Sequence, residues 1–309
     1  MARPIEAIAN IESKVRETVE RAILRNSVEL HLPDYEPDNV ATSPKEVVHA
    51  RGTMRLFRYL PMTDDVYRVP LVITMPLFGR PDILDLIKGQ SLVEFLLLCG
   101  YDVFLIDWGR PRREHASIGF ADYVDDLIPD CMRVMCEITG EKEVTSFGYC
   151  SGGLLAMMHA ARHPKGPVRN LAVAAVPINS DGMPISRAWT DPRYFDLERL
   201  LQITGNLPSS LLDASFQVAK PLAKTSNRIA MLKKADDHTF VKAYLQMERW
   251  AGDQIALTAT GASLTNRTVI GSVSRLDIDA VSGIIRVAIG GLGDDHANAE
   301  DDLYRLLES

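Results

Sequence analysis

Residues Val144–Pro164 spell VTSFGYCSGGLLAMMHAARHP. The apolar run Val144 to Phe147 predicts a strand, Gly148-Tyr149-Cys150-Ser151-Gly152 a sharp turn, and the Ala-, Leu- and Met-rich stretch Gly153 to Arg162 a helix. The turn is G-x-C-x-G, a nucleophile-elbow pattern with cysteine in the usual serine position. Gly148 and Gly152 lack the Cβ atoms that would collide where strand and helix pack closely, so Cys150 is pushed out at the helix N-terminus. Backbone N–H groups and the helix dipole favour a thiolate and a developing oxyanion there. The competing reading is a glycine-rich turn around an inert thiol, since a free cysteine is often simply core. A strand, a turn and a helix in that order favour the catalytic reading.

Outward from the elbow, strands and helices alternate. Thr53 to Tyr59 fits an edge strand, Pro70 to Met75 and Asp102 to Asp107 fit buried strands, and Leu171 to Val176 the strand after the elbow helix. Helical patterns at Ser91 to Cys99 and Tyr123 to Thr139 lie between them, which predicts an α/β fold: a mostly parallel sheet with helices on both faces. Ligands on such sheets bind at the carboxyl ends of the strands, the end that carries Cys150. After Pro177 the rhythm breaks. Asp181 to Ala262 is rich in Leu, Met and aromatics, with helix-like segments around Leu197 to Gln202, Ser210 to Ala219 and Thr239 to Trp250 and no clear strand, and it predicts an inserted helical lid. A strand pattern returns at Gly283 to Ile289, followed by GGLGDDH at 290–296 and a helix from Ala299 to Leu307. Before the sheet, Ile8, Ile11, Val15, Val19 and Ile23 mark one face of an amphipathic helix over Ile5 to Leu24, and Pro33, Pro37 and Pro44 mark an extended connector. The expected divisions are 1–45 for helix and connector, 46–180 for the first part of the core, 181–275 for the lid and 276–309 for the second part of the core.

Composition narrows the function classes. A chain of 309 residues that is 46% hydrophobic can bury a sizeable core. The net charge of −7 argues against nucleic acid as a partner, because phosphate backbones need concentrated Lys and Arg; Arg110, Arg112 and Arg113 fit a solvated loop. Cys99, Cys131, Cys136 and Cys150 have neither metal-ligand nor disulfide-framework spacing and fit a reducing cytoplasm. No apolar run reaches bilayer-spanning length, so no transmembrane segment is expected, and the scattered charges of the N-terminus are unlike a secretory leader.

A cysteine elbow needs a base to take the thiol proton and an acid to orient that base, in the chain order nucleophile, acid, histidine. Asp294 and Asp295 both follow the late strand; Asp294 fits a G-x-x-D spacing from Gly291, Asp295 an Asp-His dipeptide, and either can be the acid, with Asp294 narrowly preferred. A helix-capping acidic loop is the alternative for this stretch. The backbone N–H of Ser151 and one from Leu77-Phe78-Gly79, taken as Phe78, are the candidate oxyanion donors. None of the seven histidines occupies a loop after a further strand, and His296 sits beside the acid, where neighbouring side chains diverge.

Several segments resemble the polyhydroxyalkanoate synthases, most closely the short class III catalytic subunits. These are Pro70-Leu71-Val72 with PDILDL at 81–86, YDVFLIDWGRP at 101–111, GYCSGG at 148–153, DPRYFD at 191–196, GNLP at 205–208 and MERWAGD at 247–253. The resemblance implies an α/β-hydrolase fold with a helical lid. It also implies an acyltransferase in which Cys150 accepts (R)-3-hydroxyacyl groups from coenzyme A and polymerises them into a polyester on cytoplasmic granules. The acid would be Asp294 or Asp295, the coenzyme A thioester would be substrate with no further cofactor, and a second copy or a second synthase subunit would be the partner. The family's histidine, in a Gly-His segment farther on, has no match. Its Asn-Arg after the first core strand is Gly79-Arg80, and Thr258 to Arg275 departs from the pattern. Without the histidine, turnover is expected to be impaired, with the C-terminus truncated or divergent. The other expectations compatible with these residues are a thioesterase or depolymerase, which would release free hydroxyacid, and a non-catalytic partner protein.

Overall fold

The computed structural model describes residues 41–176 and 196–258, apart from 213, 215–222 and 236, together with position 19. Six strands form the central sheet: β1 (Lys45–Arg51), β2 (Met54–Tyr59), β3 (Leu71–Thr74), β4 (Val103–Asp107), β5 (Val144–Tyr149) and β6 (Val168–Ala174), in the order β1-β2-β4-β3-β5-β6. The β1–β2 hairpin joins β4 antiparallel, and β4, β3, β5 and β6 run parallel. Every side chain of β3, LVIT, is buried, as are the first four of β4, VFLI. Continuous apolar runs of this kind belong at the centre of a sheet covered on both faces.

The covering helices are α1 (Leu92–Leu98), α2 (Ile128–Thr139) and α3 (Ser151–Arg162). A turn at Phe120–Asp122 and a π-helical turn at Tyr123–Leu127 lead into α2. The helix α1 starts at Ser91, whose hydroxyl accepts the Glu94 N–H at 2.9 Å. The same hydroxyl donates to Asp85 at 2.7 Å, and Asp85, 1% exposed, also receives the Ser43 N–H and hydroxyl at 3.0 and 2.8 Å. The PDILD turn thus fastens the start of β1 to the start of α1.

Two expectations are corrected. The Thr53–Tyr59 segment forms β2, but β1 covers it, so β2 is not the edge. Four of the seven β1 residues, KEVVHAR, are charged or histidine, which masks its strand signal; an edge strand facing solvent tolerates that composition. Residues 196–258 also contain more than the expected helices. They fold as α4 (Leu197–Thr204), β7 (Asn206–Leu207), α5 (Ala223–Lys233), α6 (His238–Gly252) and β8 (Leu257–Thr258), with β7 and β8 paired as a two-residue antiparallel ribbon. The sequence of α5, AKTSNRIAMLK, carries too weak an apolar stripe to be seen by periodicity.

This segment packs on the loops that leave β3 and β4. Leu197, Leu201 and Leu257 join the main core. Trp250 donates its indole N–H to the Arg80 carbonyl at 3.0 Å, the Ile255 N–H reaches the Phe78 carbonyl at 3.0 Å, Asn206 donates to the Arg112 carbonyl at 2.9 Å and Thr258 to that of Ile118 at 2.7 Å. The expected bounds of the lid, 181–275, extend past the described residues on both sides. The N-terminal amphipathic helix apart from position 19, most of the connector, most of DPRYFD, the late strand, Asp294, Asp295 and the final helix also lie outside them.

Candidate active site

Cys150 stands between β5 and α3 with φ 53° and ψ −131°. A non-glycine residue in this region carries about 1–3 kcal/mol of strain and persists only where its surroundings impose it. Here the Cys150 N–H bonds the Ala174 carbonyl on β6 at 2.8 Å, and its own carbonyl accepts the Gly153 N–H at 2.9 Å. Close backbone packing does the rest. A Cβ on Gly152 would fall 2.2 Å from the Thr74 carbonyl oxygen, and a Cβ on Gly148 would fall 2.4 Å from the Gly153 Cα. The glycines of the motif therefore let α3 press on the ends of β3 and β5.

The loop after β3 forms the other wall. The Met75 carbonyl, against which Gly152 packs, accepts the Trp108 indole N–H at 2.8 Å. Trp108 is buried, meets Tyr123 edge to face at 4.9 Å, and its carbonyl receives the Thr53 hydroxyl at 2.8 Å. The Trp of IDWG thus fixes the backbone leading to Phe78, a positioning contact that sequence reading did not assign. Its signal was available in the motif, but the partner, a carbonyl 33 residues away, was not. Phe78 is held through its carbonyl by Ile255, and Ser151 opens α3 with its N–H against the Cys150 sulfur.

Burial works against the expected thiolate. Burial pushes the Cys150 thiol up, and the Ser151 N–H offsets only part of that shift. A helix dipole contributes about 0.3–1 kcal/mol, under one pKa unit, in the direction opposed to that desolvation. Attack on a carbonyl therefore calls for a base to take the thiol proton.

Among the described residues no histidine bonds that thiol. His49 pairs with Asp130 at 2.7 Å on β1, four strand spacings, about 19 Å, from β5. His159 is buried on α3 with its Nδ1 on the Val124 carbonyl at 2.8 Å. It lies nine residues past Cys150, about 13 Å along the helix axis. His163 bonds Asp125 at 3.1 Å, His115 accepts the Arg112 N–H at 3.0 Å, and His238 opens α6. His31, His296 and both candidate acids, Asp294 and Asp295, lie outside the described residues. Cys150 and Ser151 adjoin at the elbow, and Gly152 packs against Thr74 and Met75, where the loop toward Phe78 begins. All four cysteines are free.

Comparison with known proteins places the chain in a family. Residues 78–260, more than half of the chain, match the alpha/beta hydrolase fold family, and residues 36–96 match the family described as the poly-beta-hydroxybutyrate polymerase N-terminus. The poly(3-hydroxyalkanoate) polymerase subunit PhaC of Haloferax mediterranei is 34% identical over 219 residues, covering 70% of this chain and 44% of that protein. The subunits of the same name from Thiocystis violacea and Allochromatium vinosum are 32% and 31% identical; the matches cover 70% and 72% of this chain and 61% and 63% of those proteins. The chain thus spans about half of the length of these relatives. It belongs to the α/β-hydrolase fold family and is similar in sequence to the poly(3-hydroxyalkanoate) polymerase subunits.

Proposed function

We propose that the chain is the acyl-transferring part of a polyhydroxyalkanoate polymerase, with Cys150 as the group that carries the acyl chain. The observation that carries the reading is the strained cysteine elbow, held at φ 53° at the carboxyl end of the sheet. The polymerase relatives supply the substrate class. In this reading the Cys150 sulfur, once deprotonated, attacks the carbonyl of a (R)-3-hydroxyacyl-CoA. A carbon–sulfur bond forms, coenzyme A leaves as its thiol, and the bond exchanged is one thioester for another. The N–H groups of Ser151 and Phe78 stabilise the oxyanion. The hydroxyl of a second acyl unit then attacks the Cys150 thioester, loses its proton, forms the ester and frees the thiol. Apolar residues of the inserted segment keep water from intercepting the acyl-enzyme.

Base supply limits this cycle. The thiol and the incoming hydroxyl must each lose a proton, and the acid, Asp294 or Asp295, acts only through a base that it orients. A second copy or a second synthase subunit is the proposed source of whatever this chain does not provide, and the proposed setting is the cytoplasmic surface of the polyester. The isolated chain is therefore expected to take up acyl groups slowly and stoichiometrically, with little steady release of coenzyme A. The test is incubation with labelled 3-hydroxyacyl-CoA followed by peptide mapping. Label is expected on the Cys150 peptide and absent in Cys150→Ala protein; equal labelling of the two overturns the assignment, and robust multiple turnover overturns the base limitation.

A further inference from the structure

Four arginines from three separate places in the chain meet in one cleft. Arg55 on β2, Arg80 after β3, and Arg110 and Arg112 after β4 line it together with Asp82 and Asp107, around a volume of about 640 Å³. This is the size of a small-molecule site. Arg110 and Arg112, expected as a solvated loop, are exposed as such a loop requires, yet they face this shared space. On a chain of net charge −7, the cleft walls carry four guanidinium groups against two carboxylates.

The arginines fall into two kinds. Arg80 is bonded to both Asp82 and Asp253, and Arg110 reaches Asp253 at 2.7 Å, so these two are held in place from below by the end of α6. Arg112 has no carboxylate within hydrogen-bond distance among the described residues; Glu114 is 3.9 Å away. Its backbone is nevertheless fixed on both sides, the N–H by His115 at 3.0 Å and the carbonyl by Asn206 at 2.9 Å. Arg55 stands opposite Asp107 in the β2–β4 register. An ion-pair network made only for surface stability accounts for Arg80, Asp82 and Asp253. It does not account for a backbone-anchored Arg112 whose nearest ion-pair partner among the described residues, Glu114, is 3.9 Å away.

Position links the cleft to Cys150. Asp107 ends β4 and Cys150 follows β5, and both strands flank β3, so the two strand ends are separated by two strand spacings, about 10 Å. Arg80 is two residues beyond Phe78, at most about 7 Å of chain. A ligand reacting at Cys150 with an arm longer than that separation would bring its far end into the arginines. Guanidinium forks match phosphate oxygens in pairs, and arginine serves this role better than lysine.

We propose that this cleft binds the diphosphate of the coenzyme A carrier, with Arg112 and Arg55 making the phosphate contacts and Arg80 and Arg110 held ready by Asp253. The inference rests on the reading of Cys150 as the acyl acceptor from coenzyme A. Its test compares ligands with and without phosphate. Binding of coenzyme A and of phosphate-free pantetheine to the full chain is measured by calorimetry, for wild type, Arg112→Gln and Arg55→Gln. In parallel, Cys150 labelling is measured with a 3-hydroxyacyl-CoA and with the matching N-acetylcysteamine thioester. Each substitution is expected to weaken coenzyme A binding about tenfold, as loss of a charge-assisted hydrogen bond does, and to slow labelling by the coenzyme A thioester at low concentration. Pantetheine binding and labelling by the phosphate-free thioester should not change. Unchanged coenzyme A binding in both variants, equal losses with both thioesters, or no coenzyme A binding by wild type overturns the proposal. Labelling of wild type by neither thioester overturns the Cys150 reading alone, and the calorimetry still decides the cleft.

Discussion

At the residue scale, the chemistry turns on a conflict at Cys150 between geometry and electrostatics. The elbow presents the sulfur at a helix start, which favours negative charge, while burial disfavours it and wins. A thiol whose pKa is raised has a smaller thiolate fraction at any given pH, so its reactivity must keep climbing through the pH at which an ordinary thiol has already levelled off. Alkylation of Cys150 by iodoacetamide, followed by mass spectrometry of the Cys150 peptide against free glutathione, is expected to inflect at higher pH than the glutathione reference. A plateau near neutral pH would mean that a base already serves the sulfur. The same conflict explains why the elbow motif by itself does not amount to a working nucleophile: it fixes where the sulfur is and leaves its proton to another group.

At the element scale, the junctions between strands and helices depend on a few buried polar contacts. The 3-10 turn Pro81–Asp85 is the clearest case, because the Asp85 carboxylate satisfies three donors, from Ser43 and Ser91, in a place water does not reach. Removing the carboxylate leaves those donors buried and unpaired, at about 1–3 kcal/mol each. Asp85→Ala is accordingly expected to lower unfolding free energy by roughly 3 kcal/mol or more in urea titration. A change below about 1 kcal/mol would mean the donors find other partners. PDILDL, which in the sequence looks like part of a functional signature, is in these contacts a structural clamp, and Arg80 just before it is the residue that faces the cleft. Helix starts follow the same logic: Asp196 accepts the Arg199 N–H and Asp237 the Phe240 N–H, capping α4 and α6.

At the scale of the whole molecule, the segment 196–258 is joined to the sheet at the end that holds Cys150. Asp253 is the charged part of that joint, bonded to Arg80 after β3 and Arg110 after β4. Its carboxyl is held below the usual range, first by the Arg110 hydrogen bond and then by that of Arg80. Being partly exposed, the joint is worth little in global stability, but it ties both loops to the end of α6. Asp253→Ala is expected to leave the unfolding midpoint nearly unchanged while speeding limited proteolysis within 196–258, read by mass mapping. Equal cleavage rates in the two proteins would show that the hydrophobic contacts of Leu197, Leu201 and Leu257 hold the segment alone. The charged joint also puts the cleft arginines Arg80 and Arg110 in contact with the segment.

What the sequence determined by itself is the alternation of apolar strands with amphipathic helices, the position of the cysteine in its turn, and the helical character of α4 and α6. These are local properties: periodicity, glycine at close approach and capping residues act within a few positions along the chain. It also carried the family likeness, through motifs whose purpose the residues did not reveal. Only the tertiary structure decided that β1 and not β2 is the edge, because edge strands owe their place to pairing more than to composition. Trp108 gripping the Met75 carbonyl, the burial that pushes the Cys150 thiol up, and the meeting of Arg55, Arg80, Arg110 and Arg112 were likewise decided there. Each depends on groups brought together from distant positions, and on how much water burial removes from them, neither of which a linear pattern contains.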